Sequence, residues 1–313
     1  MRKIRVGISR CLLGDEVRFD GGHKHDPFLT ETLGRFFEWV PVCPEVEMGM
    51  AVPRESVRLL HTPSGTRMVG VRSEKDFTLP MTAFCSARVG ELNDLHGYIL
   101  KKDSPSCGMD RVRVYSREGI QRKNGRGLFA AALQQQYPML PVEEEGRLHD
   151  LPLRENFIER IFCYYRFTNF LEDHPTEKKL VEFHTRHKMT LLSHSTDLCR
   201  VLGRIVARPG KKAIGEVVEE YGTIFTETLK RKATPRKHAN VLYHLMGYLK
   251  QSIDTIDKAE LVARIEEYRT GLLPLIVPIT LLKHHFQRNP VPWIEEQTYL
   301  NPYPVELMLR NHG

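Results

Sequence analysis

The chain holds only two tryptophans and six cysteines in 313 residues, and it has no long hydrophobic run. No apolar stretch reaches the ~18 residues that a membrane helix needs, so no membrane role is expected. The amino terminus, from Met1 to Cys11, alternates like a strand and is followed by no secretory core or cleavage site, which points to the cytoplasm. Six cysteines spread this thinly do not make the disulfide framework of a small secreted domain; in a reducing compartment they are thiols or metal ligands. Internal repeats and low-complexity segments are also missing.

What is present is an ordinary soluble composition, 41% hydrophobic and 27% charged, over a length that suits two domains. The net charge of +7 is uneven: residues 1–145 carry 21 Lys/Arg against 19 Asp/Glu, and residues 146–313 carry 25 against 20. In the first half short β-like runs alternate with helical stretches. Strands are expected at Ile4–Ser9, Glu38–Val42, Met68–Val71 and Gly97–Leu100, and helices at Pro27–Phe37 and Leu79–Leu92. That order predicts an α/β domain with a largely parallel sheet, arranged as a three-layer sandwich. Between Pro138 and Pro152, prolines and the acids Glu143 to Glu145 are expected to stop regular structure, placing the boundary between domains 1–146 and 147–313.

Beyond it the apolar spacing is helical throughout, at 155–171, 176–192, 196–207, 214–230, 236–252 and 258–268, which predicts an all-α second domain. Ser195 suits a helix cap, Asp257 with Glu260 resembles a capping box, and Gly271 suits a helix end. The proline-rich stretch 289–303 is expected to pack as an irregular strap.

Three cysteines share a context. Cys11 and Cys43 each follow a predicted strand, and Cys107 lies shortly after a third. Ligands of open α/β sheets bind at that carboxyl edge, so the three thiols can converge on one pocket. Gly14, Pro44, Pro105 and Gly108 around them indicate tight turns. Three thiolates suit zinc or a cubane iron–sulfur cluster, and the latter would leave one iron without a protein ligand. Cys85, Cys163 and Cys199 sit inside helical patterns and read as core residues.

The residues at these positions resemble the TudS-like thiouracil desulfidase family. The motifs are Cys11-Leu12-Leu13-Gly14 with Val17-Arg18-Phe19-Asp20-Gly21-Gly22-His23, then Val42-Cys43-Pro44-Glu45-Val46-Glu47-Met48-Gly49, Val52-Pro53-Arg54, and Lys101-Lys102-Asp103-Ser104-Pro105-Ser106-Cys107-Gly108. The second half is similar to the YbgA-like helical domain at His184-Thr185-Arg186-His187-Lys188 and from Lys237 to Tyr248. Two-domain members of this kind are associated with removing sulfur from 4-thiouridine in tRNA. The resemblance implies a 4Fe–4S cluster on Cys11, Cys43 and Cys107 with one open iron, Glu45 as catalytic carboxylate and Ser104 in substrate handling. Ser106 is the alternative for that serine, and His23 and Lys24, after a turn-rich loop, are further candidates for substrate contact.

Eleven Lys/Arg against four acids between Arg200 and Lys250 suit phosphate contacts. The candidates for RNA binding are Lys211, Lys212, Lys230, Arg231, Lys232, Arg236 and Lys237; cations near helix ends also complement the dipole of a solvated face. His184, His187 and His194 lack the Glu of a zincin pattern and are expected to pack or to touch RNA. The resulting expectation is a cytoplasmic, cluster-dependent desulfidase acting on tRNA, with no obligatory protein partner. Desulfuration of free thiouracil, a cluster-bearing RNA-binding sensor and a structural zinc site are the competing readings.

Overall fold

The computed structural model describes residues 3–208, 210 and 213–311, and the chain folds as two compact units, Met1–His149 and Asp150–Gly313. In the first unit, β1 (Ile4–Ser9) pairs in parallel with β2 (Phe37–Val42) on one side and with β5 (Gly97–Leu100) on the other, and β5 pairs in parallel with β8 (Val142–Glu144). The sheet order β2-β1-β5-β8 reverses direction at β1, which opens a crevice outside the carboxyl ends of β1 and β5. Gly7 is required there: a Cβ would lie 2.2 Å from the Tyr98 ring, which packs across β1. The α/β class and the parallel sheet are as the sequence pattern predicts.

Three local readings differ. The helix expected over Pro27–Phe37 is two short helical turns, Phe28–Thr32 and Leu33–Arg35, with β2 beginning at Phe37. A second four-stranded sheet joins the hairpin of β3 (Val57–Thr62) and β4 (Gly65–Gly70) to that of β6 (Val112–Tyr115) and β7 (Gln121–Gly125) through parallel β3 and β6, in the order β4-β3-β6-β7. Only part of β4 was legible, because these strands carry Arg58, Arg67, Arg113, Arg122 and Lys123, and β7 is exposed along most of its length. The acidic run does not interrupt structure: Val142 to Glu144 form β8, and Glu143, Glu144 and Glu145 are all buried. Their charges are answered by Arg147, by the Met109 N–H and by Lys101 respectively, which is what lets carboxylates enter the edge of a core. Of the helices, α1 (Pro44–Glu47) follows β2, α2 spans Thr78–Gly90 and α3 Leu128–Gln136.

The second unit is helical: α4 (Leu151–Glu172), α5 (Glu177–His194), α6 (Thr196–Val206), α7 (Ile214–Lys230), α8 (Pro235–Gly247), α9 (Thr255–Arg269), α10 (Ile276–Arg288) and the short α11 (Pro292–Glu295). Asp150, Thr176, Ser195, Thr234 and Asp254 each accept a backbone N–H three residues on, caps that contribute about 1 kcal/mol apiece. Asp254, and not Asp257, caps α9; the helix begins one turn earlier than its apolar spacing indicates. Helix α10 went unread because Pro278 stands inside it, yet at the third position a proline's missing N–H has no intrahelical partner to lose. The strap expected from proline content contains α11 and is anchored by buried Gln297, which donates to the Thr185 carbonyl at 2.7 Å and accepts from the Met189 N–H at 3.2 Å.

A charged network lies inside this unit. The Glu159 carboxylate meets His194 Nε2 at 3.0 Å and Arg310 Nη2 at 3.4 Å. Arg310 also donates to Glu155 Oε1 at 3.2 Å and to the Tyr299 carbonyl at 2.6 Å, and its guanidinium lies 4.9 Å from the Tyr299 ring centre. Glu159, His194 and Arg310 are all buried. No helix among the described residues is long and apolar enough to cross a membrane.

Candidate active site

The carboxyl edge of the parallel sheet opens into a cavity of about 700 Å³, within the usual size of small-molecule sites. Cys11 enters it from the helical turn Arg10–Leu13 after β1, Cys43 from the residue that starts α1 after β2, and Cys107 from the loop after β5. All three are free thiols. Among the described residues no three His, Cys, Asp or Glu side chains close on a point that holds a single metal ion. All three line one hollow, and three thiolates are a donor set that suits an iron–sulfur cluster.

Burial pushes the Cys11 thiol up to about 11, helped by Cys43 and opposed by Lys101 and Arg18. Burial also raises Cys43, and it raises Cys107 well above the ordinary thiol value against a hydrogen bond from Ser9. Without a metal these groups are protonated, so loading the site releases protons. Cys43 Sγ has a 3.8 Å contact with the Val17 carbonyl, and the backbone N–H groups of Val46 and Glu45 favour its thiolate.

The Cys107 loop is held by its own turn and by α3. Ser104 Oγ accepts the N–H groups of Ser106 and Cys107 at 3.2 and 3.1 Å, while the first amides of α3 donate to the Pro105 and Ser106 carbonyls. Gly127, just before α3, packs so tightly that a Cβ would lie 2.4 Å from the Ser106 carbonyl oxygen. Gly127→Ala is expected to displace the loop and to cost about 1–3 kcal/mol, as overpacking does. Thermal melting and metal uptake together check this; full uptake at wild-type stability would show that the contact is dispensable.

Glu45 lies two residues past Cys43 on the cavity wall. Its Oε2 receives both Nε, at 3.0 Å, and Nη2 of Arg54, and its Oε1 receives the Ser106 hydroxyl at 2.5 Å. Arg54 is fixed in turn by the carbonyls of Val17 and Ala51 at 3.1 and 3.3 Å. The carboxylate is thus locked in orientation, with lone pairs left for a further donor. Ser104 lines the cavity, whereas Ser106 is fully buried behind Glu45.

A family model described as 2-thiouracil desulfurase matches residues 6–145, and one described as Protein of unknown function (DUF1722) matches residues 188–304. The Uncharacterized protein YbgA of Escherichia coli (strain K12) is 32% identical over 155 residues, covering 49% of this chain and 92% of its own length. Among solved structures, a 4Fe–4S-dependent thiouracil desulfidase, TudS, is 29% identical with a TM-score of 0.38, covering 49% of this chain and 97% of its own. The chain is a relative of YbgA over about half its length, and its residues 6–145 match the 2-thiouracil desulfurase family model. The match over residues 6–145 contains Cys11, Cys43, Glu45 and Cys107.

Beyond those residues the cavity is basic. Arg10, Arg18, Lys24, Arg54, Arg58, Lys101, Lys102 and Arg113 line it, against Glu45 and Asp103. Lys24 reaches the wall, and its N–H donates to the Cys11 carbonyl at 2.9 Å. His23 is exposed, is not among the lining residues and accepts the His25 N–H at 3.1 Å. Arg58, Arg113 and Tyr115 come from the second sheet and escaped sequence reading. An arginine on a half-exposed strand carries no signal until the opposing wall is known. Arg58 lies 5.6 Å from the Tyr115 ring centre, and its buried Nε has no hydrogen-bond partner.

In the YbgA-like region the RNA candidates divide. Lys211 and Lys212 lie outside the described residues. Lys230 pairs with Glu227 at 3.3 Å; Arg231 donates to Ser195 Oγ at 3.3 Å, and Lys237 to the His194 carbonyl at 2.7 Å. Arg231, at the end of α7, and Lys237, in the first turn of α8, thereby brace the α7–α8 connection, while Lys232 and Arg236 are exposed. The three histidines are buried. Burial holds His184 near 4 and His187 near 3, the latter stacked on Phe183 at 4.1 Å, so both are neutral packing residues.

Proposed function

We propose that this chain is a cytoplasmic desulfidase that hydrolyses the carbon–sulfur bond of a thiolated uracil, carried as 4-thiouridine in tRNA, to give uridine and sulfide. The observation that carries the reading is the meeting of Cys11, Cys43, Cys107 and Glu45 on one cavity, the three thiols delivered by three different parts of the chain. The three thiols would hold a 4Fe–4S cluster. Such a cluster, lacking a fourth protein ligand, supplies Lewis acidity toward a thiocarbonyl sulfur.

The chain's own groups do the rest. Glu45, held by Arg54 and Ser106, accepts a proton from the attacking water. A carbon–oxygen bond forms, the carbon–sulfur bond breaks, sulfur leaves as sulfide, and no electrons are exchanged. Lys24, Arg58, Lys102 and Arg113 on the cavity wall suit the phosphates that flank a base in RNA. A neutral free base does not call for so basic a wall, which favours the nucleic acid over free thiouracil. A base within folded RNA reaches such a cavity by leaving its stack.

Anaerobic incubation of cluster-loaded protein with tRNA containing 4-thiouridine tests this. Loss of the thio-base absorbance with equivalent sulfide, absent in Cys11→Ala, is the expected result. Conversion of free thiouracil alone would move the substrate assignment, and no conversion with an intact cluster would favour a sensor. Binding is expected to weaken linearly with log salt. Changing Lys232 and Arg236 to Ala is expected to flatten the slope by about 0.7–0.9 per lost phosphate contact. An unchanged slope removes these two residues from the interface.

A further inference from the structure

A second ion pair closes the floor of the cysteine cavity. Lys101 directly follows β5, and its N–H donates to Ser9 Oγ at 2.9 Å, tying the ends of β5 and β1 together. Its ammonium pairs with Glu145 Oε1 and donates to the Lys102 carbonyl at 3.3 Å. The other Glu145 oxygen accepts the Lys102 N–H at 2.7 Å, so the carboxylate is gripped twice. The two side chains are only 15% and 10% exposed, unlike a surface pair whose partners drift in solvent. Lys101 lines the cavity with the three cysteines, whereas Glu145 does not, so the ammonium stands between the carboxylate and the hollow.

We propose that Lys101, clamped by Glu145, is the fixed counter-charge of the cysteine centre and sets its electrostatic balance. This rests on the reading that the three thiolates hold a cluster. Three thiolates gather negative charge in a partly buried hollow whose wall already carries Glu45 and Asp103. The neighbouring cations are paired as well, but the Arg10–Asp15 and Arg18–Asp20 pairs are more exposed, and Glu45, the partner of Arg54, stands on the cavity wall itself, whereas Glu145 lies outside the lining. A cation held beside a cluster favours its more negative, reduced state.

The test uses full-length protein reconstituted anaerobically: wild type, Lys101→Arg, Lys101→Met, and Lys101→Met combined with Glu145→Gln, which leaves no buried unpaired carboxylate. Iron per chain and the midpoint potential are measured. Lys101→Met is expected to shift the redox equilibrium by about tenfold toward the oxidised state, about 59 mV lower for one electron, and the double variant, which also loses the more distant Glu145 charge, in the same direction by less, with Lys101→Arg close to wild type. Loss of iron from Lys101→Met alone, restored in Lys101→Arg, also supports the counter-charge. An unchanged potential at full iron content in both charge-removing variants overturns it, as does loss of iron from all three variants, which would mark the pair as a structural staple of β5 to β8. A wild type that takes up no iron overturns the cluster reading itself, and that result is visible before any variant is compared.

Discussion

Glu45→Gln is expected to lower turnover of the thiolated base by about 10²–10⁴-fold, the usual contribution of a positioned general base, while iron content stays at the wild-type level. The amide keeps the size of the side chain, and its oxygen can still accept from Arg54 or from Ser106. It cannot take the proton of an attacking water. Because Cys11, Cys43 and Cys107 are untouched, the spectrum of the loaded protein serves as the internal control. Near wild-type turnover in the Gln variant would sink the base assignment and leave Glu45 as an anchor for Arg54.

The second large effect lies in the helical unit. Arg310→Ala is expected to destabilise it by about 3–5 kcal/mol, because removal of one partner leaves buried charge without compensation. Glu155 and Glu159 both face the guanidinium on α4, and the Tyr299 carbonyl loses its donor as well. For a unit of this size the loss corresponds to roughly 10 °C in Tm. The same network predicts a pH dependence. Burial alone would raise the Glu159 carboxyl, but His194 and Arg310 hold it down at about 2. Since this lies below the ordinary 4.5, the stabilisation is complete above that value and is lost as pH falls toward 2. Melting curves of wild type and Arg310→Ala across that range check both points. Equal acid sensitivity in the two proteins would mean that the pair does not carry the linkage.

Some of this was legible in the chain itself. Ile4–Ser9 and Gly97–Leu100 are short apolar runs without helical spacing, and both are buried strands of the parallel sheet. Cysteines placed just past strand ends point to one pocket, because parallel strands of one sheet finish at a common edge. Helices α5, α6 and α7 followed their apolar spacing to within a few residues. The second sheet did not show itself, since strands with arginines on one face and solvent on the other lose the alternation that marks a strand. The buried glutamates of β8 were read as a linker for a related reason: a charged residue reads as exposed unless its partner, here Arg147, the Met109 N–H or Lys101, is already known.

Local chemistry along the chain determined which residues turn, which cap and which thiols stand at strand ends. These properties depend on neighbours within a few positions, where backbone sterics and hydrogen-bond geometry act directly. Tertiary structure alone decided that Ser106 and Arg54 grip Glu45, that Lys101 stands before Glu145 beside the cysteines, and that Arg58 and Arg113 close the wall. Those pairings span from nine to more than forty positions, and electrostatic interactions at such separation exist only once the two segments have been brought into contact. The same physics made Arg231 and Lys237 partly structural: their charge was visible in sequence, but whether a cation faces solvent or a carbonyl is settled by what the fold packs against it.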